Sequence, residues 1–172
     1  MSRPLQMGTN VNPNELQPST GPEPGTYQVI ATYAERVTAD DGRYVKDDVE
    51  LEVLAGSVIQ QEGKKFRQSL FLRQNKQTGE WEETDQHLRW AYAAGLIQPG
   101  QTIQFDVRMF CGKTFVVSVE KDKNGRFMRV SGGGYDVWRE DDPAVASVPK
   151  ASLNSGAYPA SRGDDLDAIF PK

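Results

Sequence analysis

One stretch of the chain places positive charges and an aromatic ring at alternating positions. Residues 65–73 switch between apolar and polar side chains with a period of two, which is typical of a strand with one buried face. The side chains opposite the apolar ones are Lys65, Arg67, Ser69, Phe71 and Arg73. Cations can follow a phosphate chain, and a ring can stack on an unpaired base. The segment therefore predicts a face that binds single-stranded nucleic acid. The alternative is that Phe71 packs beneath a loop or a helix and the cations are only solvated.

Two later segments repeat this combination more weakly. Residues 103–110 alternate as a further strand, on which Arg108 and Phe110 fall opposite the apolar side chains. The pair Asn124-Gly125 predicts a tight hairpin turn with cations on both sides of it. Taken together, the candidate contacts for nucleic acid are Lys65, Arg67, Phe71, Arg73, Arg108, Phe110, Lys113, Arg126 and Arg129.

The charges of the chain are segregated along the sequence. The net charge is −4, which alone argues against a polyanionic partner. Residues 63–79, however, contain five cations and no acid, and residues 107–129 contain six cations and two acids. The local field over a groove attracts a polyanion more than the total charge does. A simpler interpretation is that basic and acidic strands alternate for solubility.

The sequence offers little for catalysis or metal binding. With Cys111 and His87 as the single residues of their types, a zinc site built from them is not expected. Cys111 has no candidate base nearby, and we expect His87 at the surface. We therefore expect a protein that is not an enzyme, with no metal and no cofactor. Neither a secretory signal nor an apolar run of about 20 residues is seen, so a cytoplasmic location is expected.

The composition divides the chain into three parts. Residues 1–25 are rich in Pro, Asn, Gly, Ser and Thr without periodicity, and we interpret them as a disordered arm. Residues 26–138 carry the alternating patterns of a folded domain. Residues 139–172 resemble the arm in composition and predict a disordered linker that ends in an acidic tip.

The order of the predicted elements indicates a fold. Strands are expected from Tyr27 to Val37, around Val49 to Val53 and from Lys65 to Arg73. A helix capped at Thr84 or Asp85 follows, with an apolar stripe of Leu88, Ala91 and Tyr92. Further strands run from Ile103, Phe115 and Arg126. A mostly β domain with one helix between its third and fourth strands is the layout of the OB-fold, a five-stranded Greek-key barrel.

The last residues combine negative charge with apolar side chains. The acidic and apolar members of this tip are Asp164, Asp165, Asp167, Ile169 and Phe170. The pattern resembles the acidic, Phe-containing tips of bacterial and phage single-stranded DNA-binding proteins. In that family the chain ends at Phe, whereas here Pro171 and Lys172 follow Phe170.

A second resemblance covers residues 25–138, which are similar to a phage-encoded domain family of uncertain function. It is carried by the strand Gly63–Leu72, the helix Leu88–Leu96 and the Gly-Lys-Thr-Phe-Val-Val hairpin that begins at Gly112.

These resemblances imply a protein that coats and protects single-stranded DNA during replication, recombination or repair. They also imply recruitment of replication or recombination proteins through the tip, a possible homo-oligomer, and a bacterial or phage-infected host cell. The alternative is a β-barrel structural or protein-interaction module, as in a virion or scaffold, that does not bind nucleic acid.

Overall fold

Five antiparallel strands form a nearly closed barrel in the computed structural model, which describes residues 21–100 and 105–152. The barrel strands are β1 (Gly25–Thr38), β2 (Val45–Gly56), β3 (Lys65–Phe71), β6 (Thr114–Lys121) and β7 (Met128–Val130). The short strands β4 (Arg73–Gln74) and β5 (Trp81–Glu82) pair with each other, and β8 (Val137–Trp138) pairs with β6. One α-helix, α1 (Asp85–Ala93), lies between β3 and β6 in sequence.

The strand order β3-β2-β1-β6-β7 confirms the predicted OB-like topology. The first three barrel strands form a meander, and β6 then returns to pair with β1 on the side away from β2. The two ends of the sheet meet where the Val130 backbone N–H donates to the Gln68 side-chain oxygen at 2.8 Å. Helix α1 therefore connects the third barrel strand to the fourth, as the sequence predicts.

Strand β1 pairs with β2 on one side and with β6 on the other, and its pairing with β2 is irregular. Its pairing with β2 shifts register between Gln28 and Val29 and again between Ala31 and Tyr33. Such bulges increase the local twist and turn neighbouring side chains to new directions. As a result Thr32 and Tyr33, which are adjacent in sequence, are both exposed.

The barrel interior is filled by alternate side chains of the strands and by one face of α1. Val29, Leu51 and Leu70 are fully buried on three neighbouring strands. The Trp90 ring of α1 meets the Phe115 ring edge-on at a centroid distance of 5.5 Å. Its Nε1–H donates to the Gly134 carbonyl at 2.7 Å, so α1 is attached to the segment that follows β7.

The prediction of a strand over residues 103–110 is wrong for residues 105–110, which are the part that the structure describes. Residues Val107–Phe110 form a 3₁₀ helix instead. The Asp106 side chain accepts from the Arg108 backbone N–H, a local bond that favours a turn over an extended strand. This turn changes the parity of the segment and directs Phe110 into the core.

The predicted apolar stripe of α1 is displaced around the helix. His87, Trp90, Ala91 and Ala93 are buried, whereas Leu88 is 55% exposed and Tyr92 is also exposed. One residue corresponds to about 100° of rotation, so a shift of one position brings His87 inward in place of Leu88. The expectation of a surface His87 is therefore wrong.

The folded region extends beyond both predicted boundaries. Residues 139–152, expected in the linker, pack on the barrel, with a 3₁₀ helix at Pro143–Val145 and a buried Val145. The Ala151 backbone N–H donates to the buried Gln28 side chain at 2.7 Å. Pro22, expected in the arm, is buried as well. The remainder of the predicted arm, the remainder of the linker and the acidic tip lie outside the described residues.

Candidate nucleic-acid interface

The outer face of β3 carries the predicted combination of cations and a ring. Lys65, Arg67 and Phe71 are exposed, whereas Phe66 and Leu70 are buried. Phe71 is 51% exposed, so the alternative in which it packs beneath a loop or helix is wrong. Arg73, just beyond the strand, is exposed as well. The alternation of residues 65–71 therefore has the expected phase.

Phe71 belongs to a small cluster at the end of β3. Its ring meets the Tyr44 ring edge-on, with 5.7 Å between centroids. The Lys46 Nζ lies 5.8 Å from the Tyr44 centroid and 6.0 Å from the Phe71 centroid. Lys46 is the register partner of Phe71 across β2 and β3, and Tyr44 directly precedes β2. A cation beside two rings offers stacking and phosphate attraction together.

A second exposed ring lies beside the same face. Tyr33 is 42% exposed, and the Arg67 guanidinium carbon lies 5.7 Å from its centroid. The Tyr33 hydroxyl donates to Glu35 at 2.8 Å, and this hydrogen bond is the main reason why the pKa of Tyr33 is raised. The bulge after Ala31 turns Tyr33 outward. Sequence periodicity gives no sign of this bulge, so Tyr33 was not a predicted contact.

Acidic residues occupy the neighbouring strand on the same face. Glu52 pairs in register with Lys65, Glu50 with Arg67, and Asp48 with Ser69. The Ser69 hydroxyl lies 2.5 Å from the Asp48 carboxylate, and the Lys46 ammonium lies 3.4 Å from it. The basic character of the β3 face therefore stops at β2.

Two of the predicted contacts lie away from β3. Phe110 is fully buried, with its ring edge-on to Trp90 at 6.2 Å and to Phe105 at 5.7 Å, so its prediction as a stacking residue is wrong. Arg108 is exposed but forms an ion pair with Asp106 at 2.7 Å. The hydrogen bonds from Arg108 lower the pKa of Asp106 to about 2.

The remaining predicted cations divide between two places. Lys113 is exposed and lines a cleft with Ala94 and Arg139, at the end of α1. Arg129 points outward from β7 and forms an ion pair with Glu120 of β6 at 3.0 Å. Because β7 adjoins β3, Arg129 lies on the strand next to Lys65 and Arg67.

The turn between β6 and β7 carries a third exposed ring. Phe127 is 51% exposed, and the Arg126 guanidinium carbon lies 5.7 Å from its centroid. The Asp122 side chain accepts from the Arg126 backbone N–H at 2.9 Å and fixes the turn. The sequence predicted Arg126 as a contact, and the structure adds the exposed Phe127 ring beside it.

A buried polar cluster attaches α1 to the barrel. The Asp47 carboxylate accepts from Arg36 at 2.7 and 2.8 Å and from His87 Nε2 at 3.1 Å. The Thr84 backbone N–H donates to His87 Nδ1 at 3.1 Å, so His87 carries its proton on Nε2. Burial alone would raise the pKa of Asp47, but the hydrogen bonds from Arg36 and His87 hold it below its ordinary value.

Comparison with protein-family models and with curated proteins gives no match. In residues 21–100 and 105–152, no three His, Cys, Asp or Glu side chains are placed to hold a metal ion. Over the same ranges, no helix has the length and apolar character needed to cross a membrane.

Proposed function

We propose that this protein binds single-stranded DNA on the outer face of β3, with the rings of Phe71 and Tyr33 as stacking platforms. The observation that carries the proposal is the half-exposed Phe71 ring at the edge of an OB-like barrel, beside Lys46 and on the strand of Arg67. The exposed half of the Phe71 ring contributes nothing to the packing of the core. Beside cations it has the chemistry that unpaired bases need.

Affinity in this arrangement has two separable parts. Stacking of a base on an exposed ring contributes about 1–3 kcal/mol and does not depend on the sequence of the strand. The exposed cations Lys65, Arg67 and Arg73 neutralise phosphates and release counterions, which makes binding salt-dependent. Together they favour coating of any exposed strand, as replication, recombination and repair require.

We place the protein in the cytoplasm of a bacterium or a phage-infected cell, without a cofactor and without catalytic activity. In the same proposal, Asp164, Asp165, Asp167, Ile169 and Phe170 form a docking peptide for replication or recombination proteins. The support for this part is the sequence of the tip: carboxylates followed by an apolar pair can offer both charge and a hydrophobic anchor to a partner.

A protein-interaction module that ignores nucleic acid is the second candidate. The observation in its favour is the acidic column Asp48, Glu50 and Glu52 on β2, which pairs in register with the cation-bearing strand. Carboxylates on the strand next to the cations reduce the attraction of the β3 face for a polyanion. A protein partner with mixed charges would meet no such penalty.

A gel-shift experiment with the full chain separates the two candidates. An oligo-dT strand of about 20 nucleotides and a duplex of the same length would be titrated at low salt, where phosphate contacts are strongest. Single-stranded DNA binding predicts retardation of oligo-dT at protein concentrations that leave the duplex free. Failure to retard oligo-dT, even in dilute buffer, would contradict the proposal and favour the interaction module.

A further inference from the structure

A sharp charge boundary runs along the barrel between β2 and β3. Strands β3 and β7 contain no acidic residue, and their outward charged side chains are Lys65, Arg67 and Arg129. The outward charged side chains of β2 are Lys46, Asp48, Glu50 and Glu52. Glu35 of β1 pairs in register with Asp48 and extends the acidic side by one strand. Phosphates therefore meet attraction mainly along β3, because Arg129 of β7 is paired with Glu120 of β6, and they meet repulsion along Asp48, Glu50 and Glu52 of β2.

The exposed rings lie on both sides of this boundary. Phe71 belongs to β3 and Tyr33 to β1 on the acidic side, while the half-buried Tyr44 directly precedes β2. The Arg67 guanidinium leans across β2 to within 5.7 Å of the Tyr33 centroid. The Arg67 guanidinium and the Tyr33 ring are both flat surfaces on which an uncharged base can stack. Carboxylates can accept hydrogen bonds from the amino groups of bases. The acidic side is therefore compatible with bases but not with phosphates.

We infer that the acidic column of β2, formed by Asp48, Glu50 and Glu52, restricts the site to a single strand. The inference rests on the function proposed above. A single strand can lay its phosphates along β3 and β7 and turn its bases over β2. A duplex with one backbone on β3 carries the second across a minor groove about 6 Å wide. Neighbouring strands are about 4.8 Å apart, so this second backbone would pass over the carboxylates of β2 towards Glu35 of β1.

The test is a double substitution, Glu50→Gln and Glu52→Gln, in the full chain. Glutamine keeps the shape of glutamate. In the natural chain the Thr32 hydroxyl donates to the Glu50 carboxylate at 3.0 Å, and a glutamine amide oxygen at position 50 can accept the same hydrogen bond. Affinities for oligo-dT and for a duplex of equal length would be measured by fluorescence anisotropy. Removal of two charges about 8 Å from a phosphate should improve duplex binding about five-fold relative to oligo-dT.

The matched control is Glu80→Gln, which removes an exposed carboxylate from the turn between β4 and β5. This variant should keep the selectivity of the natural chain. In the unsubstituted protein, raising the salt concentration should also reduce the preference for oligo-dT, because screening weakens the repulsion by β2.

Each outcome of this experiment decides a different claim. A fall in selectivity in the double variant, with none in the control, supports the role of the column. Binding of oligo-dT with unchanged selectivity in the double variant and at high salt would overturn this inference alone. Failure of the natural chain to bind oligo-dT would overturn the proposed function and this inference with it.

Discussion

Phe71 is the residue on which the proposed interface depends most. Half of its surface is exposed, its neighbours Tyr44 and Lys46 keep it at the end of β3, and it has no role in the core. A side chain in this position can be truncated with little effect on folding, because the buried set of β3 consists of Phe66 and Leu70. Binding and stability can therefore be separated at this site.

Replacement of Phe71 by Ala should weaken binding of oligo-dT by about 1–3 kcal/mol, or about 5- to 150-fold. The dependence of the binding constant on salt should stay the same, because no phosphate contact is removed. Anisotropy titrations at several salt concentrations measure both quantities. The control is Leu88→Ala, which truncates an exposed apolar side chain on α1. Equal losses in the two variants would contradict a stacking role for Phe71.

We expect Arg67 to contact a phosphate of the bound strand as well as to lie against the Tyr33 ring. In Arg67→Ala, the slope of log binding constant against log salt should become shallower by about 0.7 if one phosphate contact is lost. Lys76→Ala, which removes an exposed cation between β4 and β5, is the control and should leave the slope unchanged. An unaltered slope in the Arg67 variant would show that the guanidinium does not contact phosphate.

At the scale of elements, side-chain hydrogen bonds attach α1 to the barrel. The fully buried Asp47 of β2 holds Arg36 of β1 and His87 of α1 in one hydrogen-bonded cluster. The Gln86 side chain and the Trp90 indole also donate to the carbonyls of Gly133 and Gly134. The segment after β7 is thus a fixed turn beneath α1.

Replacement of Asp47 by Asn should lower the free energy of unfolding by about 1–3 kcal/mol, because the buried His87 and the partly exposed Arg36 lose a charged hydrogen-bond acceptor. Urea denaturation at neutral pH measures the loss. The control is Asp106→Asn, which disrupts an exposed ion pair with Arg108 and should have little effect. Similar urea midpoints for Asp47→Asn and the natural chain would contradict a structural role for the cluster.

The Asp47 cluster also predicts how stability depends on pH. The pKa of Asp47 is lowered from 3.8 in the folded chain, so the unfolded chain binds this proton more readily. The stabilising contribution is therefore complete above about pH 4 and is lost as the pH falls through the lower folded value. Urea midpoints at pH 7 and pH 3 should differ more for the natural chain than for Asp47→Asn. Equal pH dependence would show that Asp47 does not titrate with folding.

For the whole molecule, alternation of apolar residues predicts most of the barrel. Val49, Leu51 and Val53 face inward as expected, and the inward set of β3 likewise follows from its period of two. Alternation predicts which residues face inward because each of these strands has one buried face. They set the phase of the β3 contacts, including the exposure of Phe71.

Tertiary contacts explain what the sequence did not predict. A bulge turns Tyr33 outward although its parity matches buried Ala31. Asp106 starts a 3₁₀ helix that sends Phe110 inward. His87 enters the core, where its Nε2–H donates a hydrogen bond to the buried Asp47 carboxylate. The acidic column on β2 was visible as alternating glutamates, but its position opposite the β3 cations depends on strand register.

The most direct test of the central claim is photocrosslinking of the full chain to an oligonucleotide that contains 5-iododeoxyuridine. Crosslinked peptides would be identified by mass spectrometry. If single-stranded DNA lies on the β3 face, crosslinks should map to Phe71, Tyr33 or Tyr44. In the Phe71→Ala variant, the crosslinks at position 71 should disappear. Absence of crosslinks, or crosslinks confined to exposed rings near α1 such as Tyr92 and Tyr135, would contradict the proposed interface.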